Sequence, residues 1–174
     1  DALQAMKLLE PLPFAHEREI FPGITIRYVR AGHLLGAASI EIAAKSSLGG
    51  RQRWLFSGDV GRYDAPILRD PEPPAATPDA LVLESTYGDR DHPDENPGPL
   101  LAEIIRRTFA RGGVLLIPAF AVGRAQQMLH LVDRLVSSGR MRAFPIHLDS
   151  PMAIDATRIY AQFPDAHRPD VRAI

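Results

Sequence analysis

Three residues of this chain have side chains suited to metal or acid chemistry and sit where apolar segments break off. His33 lies in the glycine-flanked run Ala31–Gly36 (AGHLLG), between two alternating segments. Asp59 follows an apolar stretch in Ser57-Gly58-Asp59, and Glu84 follows Leu81-Val82-Leu83. Imidazole and carboxylate are ligands for a divalent ion such as zinc. A carboxylate beside an imidazole can hold its tautomer and raise its pKa. In open sheets, ligands gather outside the carboxyl ends of strands. An acid placed directly after a buried strand should meet low-dielectric surroundings and need a partner: a metal ion, an arginine or a nest of backbone amides. Each residue also has an ordinary use. A turn can hold a structural His, Ser-Gly-Asp can form a turn or helix cap, and a strand-end Glu can pair with an Arg. There is no helical His-x-x-x-His pair, so spacing leaves both readings open.

Other polar residues offer less. His130 should lie mid-helix and His147 in a strand, as packing or pairing residues. His16, His92 and His167 stand in polar surroundings. Gly123-Arg124 opens a helix and could present amides and a cation to phosphate. Ser150 precedes Pro151 as an N-cap, with Asp149 beside it. Arg124 and Ser150 are thus candidate substrate contacts, with capping as their everyday alternative.

The elements that must position these residues can be read from periodicity. Residues 1–9 read as the end of a helix, cut by Pro11 and Pro13. Gly23–Arg30, Ala38–Ala44 and Gln52–Ser57 read as strands, with Gly49-Gly50 as a hairpin turn. Ala80–Leu83 reads as a short strand buried on both faces. The run His92–Pro99 is polar and proline-rich and marks a domain boundary, giving domains 1–95 and 96–174. Helices follow at about 99–111, 123–138 and 151–163, with strands Val114–Ile117 and Pro145–Leu148 between them. This alternation predicts a parallel sheet with crossover helices, an α/β fold.

Composition narrows the classes. The 174 residues are 45% hydrophobic and 24% charged, enough for a packed core. No apolar run approaches the ~18 residues that cross a bilayer. Cysteine is absent, which excludes disulfides, thiolate zinc sites and cysteine nucleophiles and suits a reducing, cytoplasmic setting. The net charge of −1 hides an asymmetry. Residues 1–95 hold 10 Lys+Arg against 15 Asp+Glu, and residues 96–174 hold 10 against 6. An acidic metal-binding half beside an arginine-rich, phosphate-contacting half is one reading. Two solvated faces are the other, and the overall 18 Arg to 2 Lys would give the same count.

Four segments in order carry a resemblance: Ala31-Gly32-His33-Leu34-Leu35-Gly36-Ala37-Ala38, Ser57-Gly58-Asp59, Glu84-Ser85-Thr86-Tyr87-Gly88, and Ile117-Pro118-Ala119-Phe120-Ala121-Val122-Gly123-Arg124-Ala125-Gln126. Across essentially the whole chain the series resembles the β-CASP group of the metallo-β-lactamase superfamily. That group includes the mRNA 3′-end-processing endonuclease subunit and prokaryotic RNA-processing nucleases. Leu148-Asp149-Ser150-Pro151-Met152-Ala153 looks like the prokaryotic members.

The resemblance implies the C-terminal part of an αββα sandwich followed by the start of a Rossmann-like β-CASP domain. It implies that His33 is a zinc ligand, that Asp59 bridges two zincs, and that Glu84 is an acid supporting a catalytic His. The implied partner is RNA, with no membrane. The family's main motif, His-x-His-x-Asp-His, does not occur in this sequence, and its two later β-CASP histidines are expected beyond Ile174. The expectation is therefore an internal piece of a zinc-dependent ribonuclease, with two zincs in the whole enzyme. The piece itself should hold an incomplete metal site and be inactive. Its uncovered sheet face and edges should favour self-association. The rivals are a catalytically inactive RNA-binding subunit, a DNA nuclease of the same superfamily and a thioester or lactam hydrolase. Glu rather than Asp at position 84 looks RNA-type, and the β-CASP-like insertion disfavours the hydrolase.

Overall fold

The computed structural model describes residues 2–46, 49–91 and 96–171. Four of the residues read as a boundary, His92 to Glu95, lie outside these. The chain is mixed α/β and divides into two compact units, Asp1–Tyr63 with Asp70–Thr86, and Asp64–Arg69 with Tyr87–Ile174. No helix among the described residues is long and apolar enough to cross a membrane.

The first unit opens with a short helix, α1 (Ala2–Met6), and is built on a five-stranded sheet. Strands β1 (Glu17–Phe21), β2 (Ile24–Arg30), β3 (Ala38–Lys45) and β4 (Arg51–Phe56) form an antiparallel meander, and β5 (Ala80–Val82) adds in parallel to β4. The period-two patterning fixes the register. Tyr28 faces Ile40, which faces Phe56; Ile26 faces Ile42, which faces Trp54. One face is therefore an apolar row, because a one-residue slip would move every side chain to the other face. On the opposite face, Arg27 is paired across to Glu41. The proline-rich segment crosses there, held by Ala75 N–H on Glu41 Oε1 at 2.6 Å, Glu72 N–H on Arg30 O at 2.9 Å and Asp79 N–H on Arg53 O at 2.8 Å.

One expectation is corrected here, and one strand is added. Strand β5 is exposed throughout, with Leu81 and Val82 more than half accessible. Among the described residues it pairs on one side only, with β4, so its apolar residues are an edge rather than a buried centre. Strand β1 was not foreseen, because its sequence EREIF shows no clean alternation and all five residues are exposed.

The second unit holds α2 (Gly98–Ala110), α3 (Arg124–Ser137) and α4 (Pro151–Gln162), all close to their expected bounds. Each buries a stripe at helical spacing: Ala102 and Ile105 from α2, Ala125, Val132 and Leu135 from α3, and Ala153, Ala156 and Tyr160 from α4. Full burial of a side chain such as Leu135 stabilises by roughly 1.5–3 kcal/mol. Ile67 and Leu68 from the inserted stretch 64–69 are buried too, and Leu68 bridges to His167. The strands expected at Val114–Ile117 and Pro145–Leu148 do not form, and no ladder runs through either segment. Val114 is 82% exposed, Leu116 84% and Ile146 50%. An apolar run becomes a strand only when a neighbour takes its backbone hydrogen bonds, and no described residue of this unit does so.

His130 and His167 are buried in this unit, and their Nε2 atoms have no hydrogen-bond partner among the described residues. Burial holds both imidazoles below the usual histidine range. For His130, nearby Arg134 and His167 add to that, while Asp133 and Asp170 oppose it. The unfolded chain thus binds protons more readily than the folded one, so stability falls as pH drops below the ordinary histidine value of about 6.5. His130→Leu should flatten the decline of the melting temperature between about pH 7 and pH 5. An unchanged pH slope in that variant would contradict this account.

Candidate metal and acid cluster

Three loops at one end of the first unit's sheet carry the candidate residues. After β2 the chain turns at Ala31–Ala37, closed by Ala31 N–H on Ala37 O and Ala37 N–H on Leu34 O, both at 3.0 Å. After β4 come Ser57, Gly58 and Asp59. The two loops are tied where Gly32 bridges Val60 and where Gly61 N–H donates to Ala31 O at 2.7 Å. Gly61 permits this approach by lacking a Cβ. One built there would fall 2.1 Å from the Gly32 carbonyl oxygen.

That fastening sets His33 Nε2 4.0 Å from Asp59 Oδ2. The separation is too long for a hydrogen bond. It is slightly longer than the ~3.3 Å between two ligands of a tetrahedral zinc built on ordinary Zn–N and Zn–O lengths. Both side chains are exposed, His33 by 45% and Asp59 by 74%, which leaves them free to close the difference. The low-dielectric surroundings expected for the acids are thus not found.

Glu84 is anchored from the same loops. Its backbone N–H donates to the Ser57 hydroxyl at 3.0 Å, and Ser57 N–H donates to Val82 O at 2.9 Å, which extends the β4–β5 pairing. Its Oε1 accepts the Val60 N–H at 2.6 Å and its Oε2 accepts the Thr86 hydroxyl at 2.9 Å. Those two donors, the Val60 amide first, hold the carboxyl below the usual carboxylate range, and the His33 ring adds in the same direction. Glu84 is therefore an ionised acceptor at neutral pH. Val60 and Gly61 help build this cluster and were not singled out from sequence, and Ser57 figured there only as part of the Ser57-Gly58-Asp59 run. The only signal was a glycine two positions after the Asp, in a run written GDVG.

The second unit holds the other two candidates. Ser150 Oγ accepts the Ala153 N–H at 3.2 Å and so caps α4. Arg124 opens α3 and is exposed. Gly123, before it, has φ of 82°, a conformation glycine adopts without strain, and its N–H donates to the Gln126 side chain at 2.7 Å.

His33 and Asp59 fit a divalent ion in donor type and spacing, with Glu84 beside them. A catalytic zinc takes three protein ligands, and no group of three potential metal-binding side chains occurs among the described residues. The fold and the site define a class: mixed α/β chains with an imidazole and two carboxylates at the strand ends of one sheet. Comparison with known proteins narrows this class. Residues 125–174 match the Beta-Casp domain. The chain is 31% identical to an RNase J-like protein of Methanocaldococcus jannaschii, over 99% of this chain and 40% of that protein. It is 34% identical to Ribonuclease TTHA0252 of Thermus thermophilus, over 92% of this chain and 35% of that protein. It is 32% identical to Cleavage and polyadenylation specificity factor 73 of Drosophila melanogaster, over 99% and 25%. The chain belongs to the β-CASP group of the metallo-β-lactamase superfamily and spans two fifths or less of the length of these curated relatives.

Proposed function

We propose that the protein hydrolyses phosphodiester bonds of RNA with zinc, and that His33 and Asp59 are two of the metal ligands. The observation that carries this reading is the fastening of the 31–37 turn to the 57–61 loop. It sets an imidazole and a carboxylate 4.0 Å apart at strand ends and places the charge of Glu84 on the amide next to Asp59. The names of the relatives support RNA as substrate. When bound, a zinc pair would supply a hydroxide nucleophile at neutral pH and stabilise charge on the phosphate oxygens. In this chain's part of the work, the His33 imidazole and the Asp59 carboxylate would hold the metal. Glu84 positions Val60 and keeps an ionised oxygen available for a catalytic imidazole N–H.

The proposal includes the architecture read from the sequence. The first unit's sheet is one layer of an αββα sandwich, its apolar row of Ile26, Tyr28, Ile40, Ile42, Trp54 and Phe56 being the face a further layer covers. The residues from about 96 onward begin the β-CASP domain. The sequence holds no His-x-His-x-Asp-His motif to supply the remaining zinc ligands, so residues 1–174 alone hold zinc poorly and do not cut RNA.

Asp59→Asn in the full protein tests the reading through metal content and RNA cleavage together. Loss of an outer-shell partner already costs a metal site up to ~100-fold in affinity or activity. Loss of a ligand should cost at least that, with bound zinc falling in parallel. Full zinc content and full cleavage in the variant would remove Asp59 from the site.

A further inference from the structure

The α2 and α3 helices of the second unit end at one turn, and that turn carries arginines. Arg106 of α2 donates through Nη2 to Arg140 O at 3.0 Å. Met141 N–H donates to Leu135 O at 3.1 Å, at the end of α3. Phe144 meets Phe109 of α2 edge to face, with ring centres 5.0 Å apart and planes at 81°. Residues 140–144 are thus held against both helix ends. Arg107 and Arg134 lie in the last turns of α2 and α3, Arg111 is the C-cap of α2, and Arg140 and Arg142 lie in the turn itself; with Arg106 all are exposed. None of the six forms an ion pair among the described residues, unlike Arg158 and Arg168 of the same unit, which pair with Asp155, Asp64 and Asp170. Between residues 98 and 144 the acids are Glu103 and Asp133, and Asp133 accepts the Ser137 hydroxyl.

A cation in the last turn of a helix offsets its dipole by ~0.3–1 kcal/mol, and Arg107 and Arg134 account for that use. The other four are in excess of it. Like charges gathered without counter-charges repel, so an anion that reaches several guanidinium groups at once would relieve the cluster. Planar guanidinium forks match phosphate oxygens two at a time. Phe109, 42% exposed, offers a ring at the same place for a base to stack on.

We propose that this arginine-walled turn binds the sugar-phosphate backbone of single-stranded RNA. The choice of RNA over another polyanion rests on the reading given under Proposed function; the surface itself does not. The test uses the full protein in EDTA, with a fluorescein-labelled oligouridylate followed by anisotropy across a salt series. Arg111→Gln/Arg140→Gln/Arg142→Gln spares the Arg106 bond to the turn, which uses only the Arg140 backbone oxygen. Each lost phosphate contact lowers the salt slope by ~0.7 for single strands, so the triple variant should lose ~2 from the slope and bind ~10–100-fold more weakly at low salt. The corresponding lysine variant should retain most of the slope, which a merely structural role would not produce. If the glutamine variant melts early, Arg142→Gln alone should still lose ~0.7.

Unchanged affinity and slope would overturn the proposal. So would release from anionic phospholipid vesicles with RNA binding intact. Asp59→Asn separates the two ideas. If that variant stops cleavage and keeps oligouridylate binding, both stand. A protein that binds through these arginines and cuts no RNA would refute the nuclease reading alone. A protein that cuts RNA but whose binding ignores the arginines would refute this one alone.

Discussion

Gly61→Ala is expected to open the metal and acid cluster and to destabilise the first unit by about 3–5 kcal/mol. The added methyl would stand 2.1 Å from the Gly32 carbonyl oxygen, 2.2 Å from its carbonyl carbon and 2.6 Å from the His33 nitrogen. All three are backbone atoms, so no side-chain rotation relieves the clash. The two loops must part, and parting breaks the Gly61–Ala31 hydrogen bond and the Gly32–Val60 bridge. Overpacking costs ~1–3 kcal/mol and each lost hydrogen bond ~1 kcal/mol more. His33 moves with one loop and Asp59 with the other, so zinc content should fall with stability. A denaturant midpoint and a metal analysis both equal to wild type would show that the loops do not depend on this contact.

Gln126→Ala should cost the second unit a similar amount, about 3–5 kcal/mol. This side chain is fully buried. Its Oε1 accepts the Gly123 N–H at 2.7 Å; its Nε2 donates to Thr157 Oγ1 at 2.9 Å, Ala121 O at 3.1 Å and, weakly, Ala153 O at 3.3 Å. One amide therefore joins the loop before α3 to the middle of α4. Truncation leaves the Gly123 N–H and the Ala121 carbonyl without these partners, each at ~1–3 kcal/mol, and leaves a cavity. Thermal unfolding of the variant should show a large drop, with Gln126→Glu recovering little because a buried carboxylate lacks the amide's donor. A melting temperature within a degree or two of wild type would mean that water replaces the amide.

How far the sequence shows this molecule depends on which partner each residue needs. Strands β2, β3 and β4 are legible because their alternation is local and the turn between β3 and β4 is marked by Gly49-Gly50. The three helices are legible from their stripes and from Ser150, Pro151 and Gly139 at their ends. Strand β1 is not, because only its pairing with β2 makes EREIF extended. Val114–Ile117 and Pro145–Leu148 fail in the opposite sense: their composition is strand-like, and the pairing is absent among the described residues. His33, Asp59 and Glu84 were found through motif order, which carries no geometry. Their mutual placement depends on Gly61, Val60 and Ser57, whose parts are played by backbone amides, a hydroxyl and the lack of a methyl group. None of these leaves a mark in composition or periodicity.

The stretch Asp64–Arg69 belongs to the second unit although the residues on both sides of it belong to the first. Its partners arrive late: Arg69 meets the His167 carbonyl 98 residues further along, and Arg168 N–H closes on Ile67 O at 2.8 Å. At a synthesis rate of about 5–20 residues per second, this segment leaves the ribosome roughly 5–20 s before the chain that covers it. During that interval Ile67 and Leu68 are bare, and the growing chain holds a short apolar stretch with nothing yet to bury it. The meander β1–β4 needs no such delay, since each strand meets the one just made. Assembly of this stretch thus has a built-in order, with the β1–β4 meander closing early and the Asp64–Arg69 segment waiting on residues 166–168.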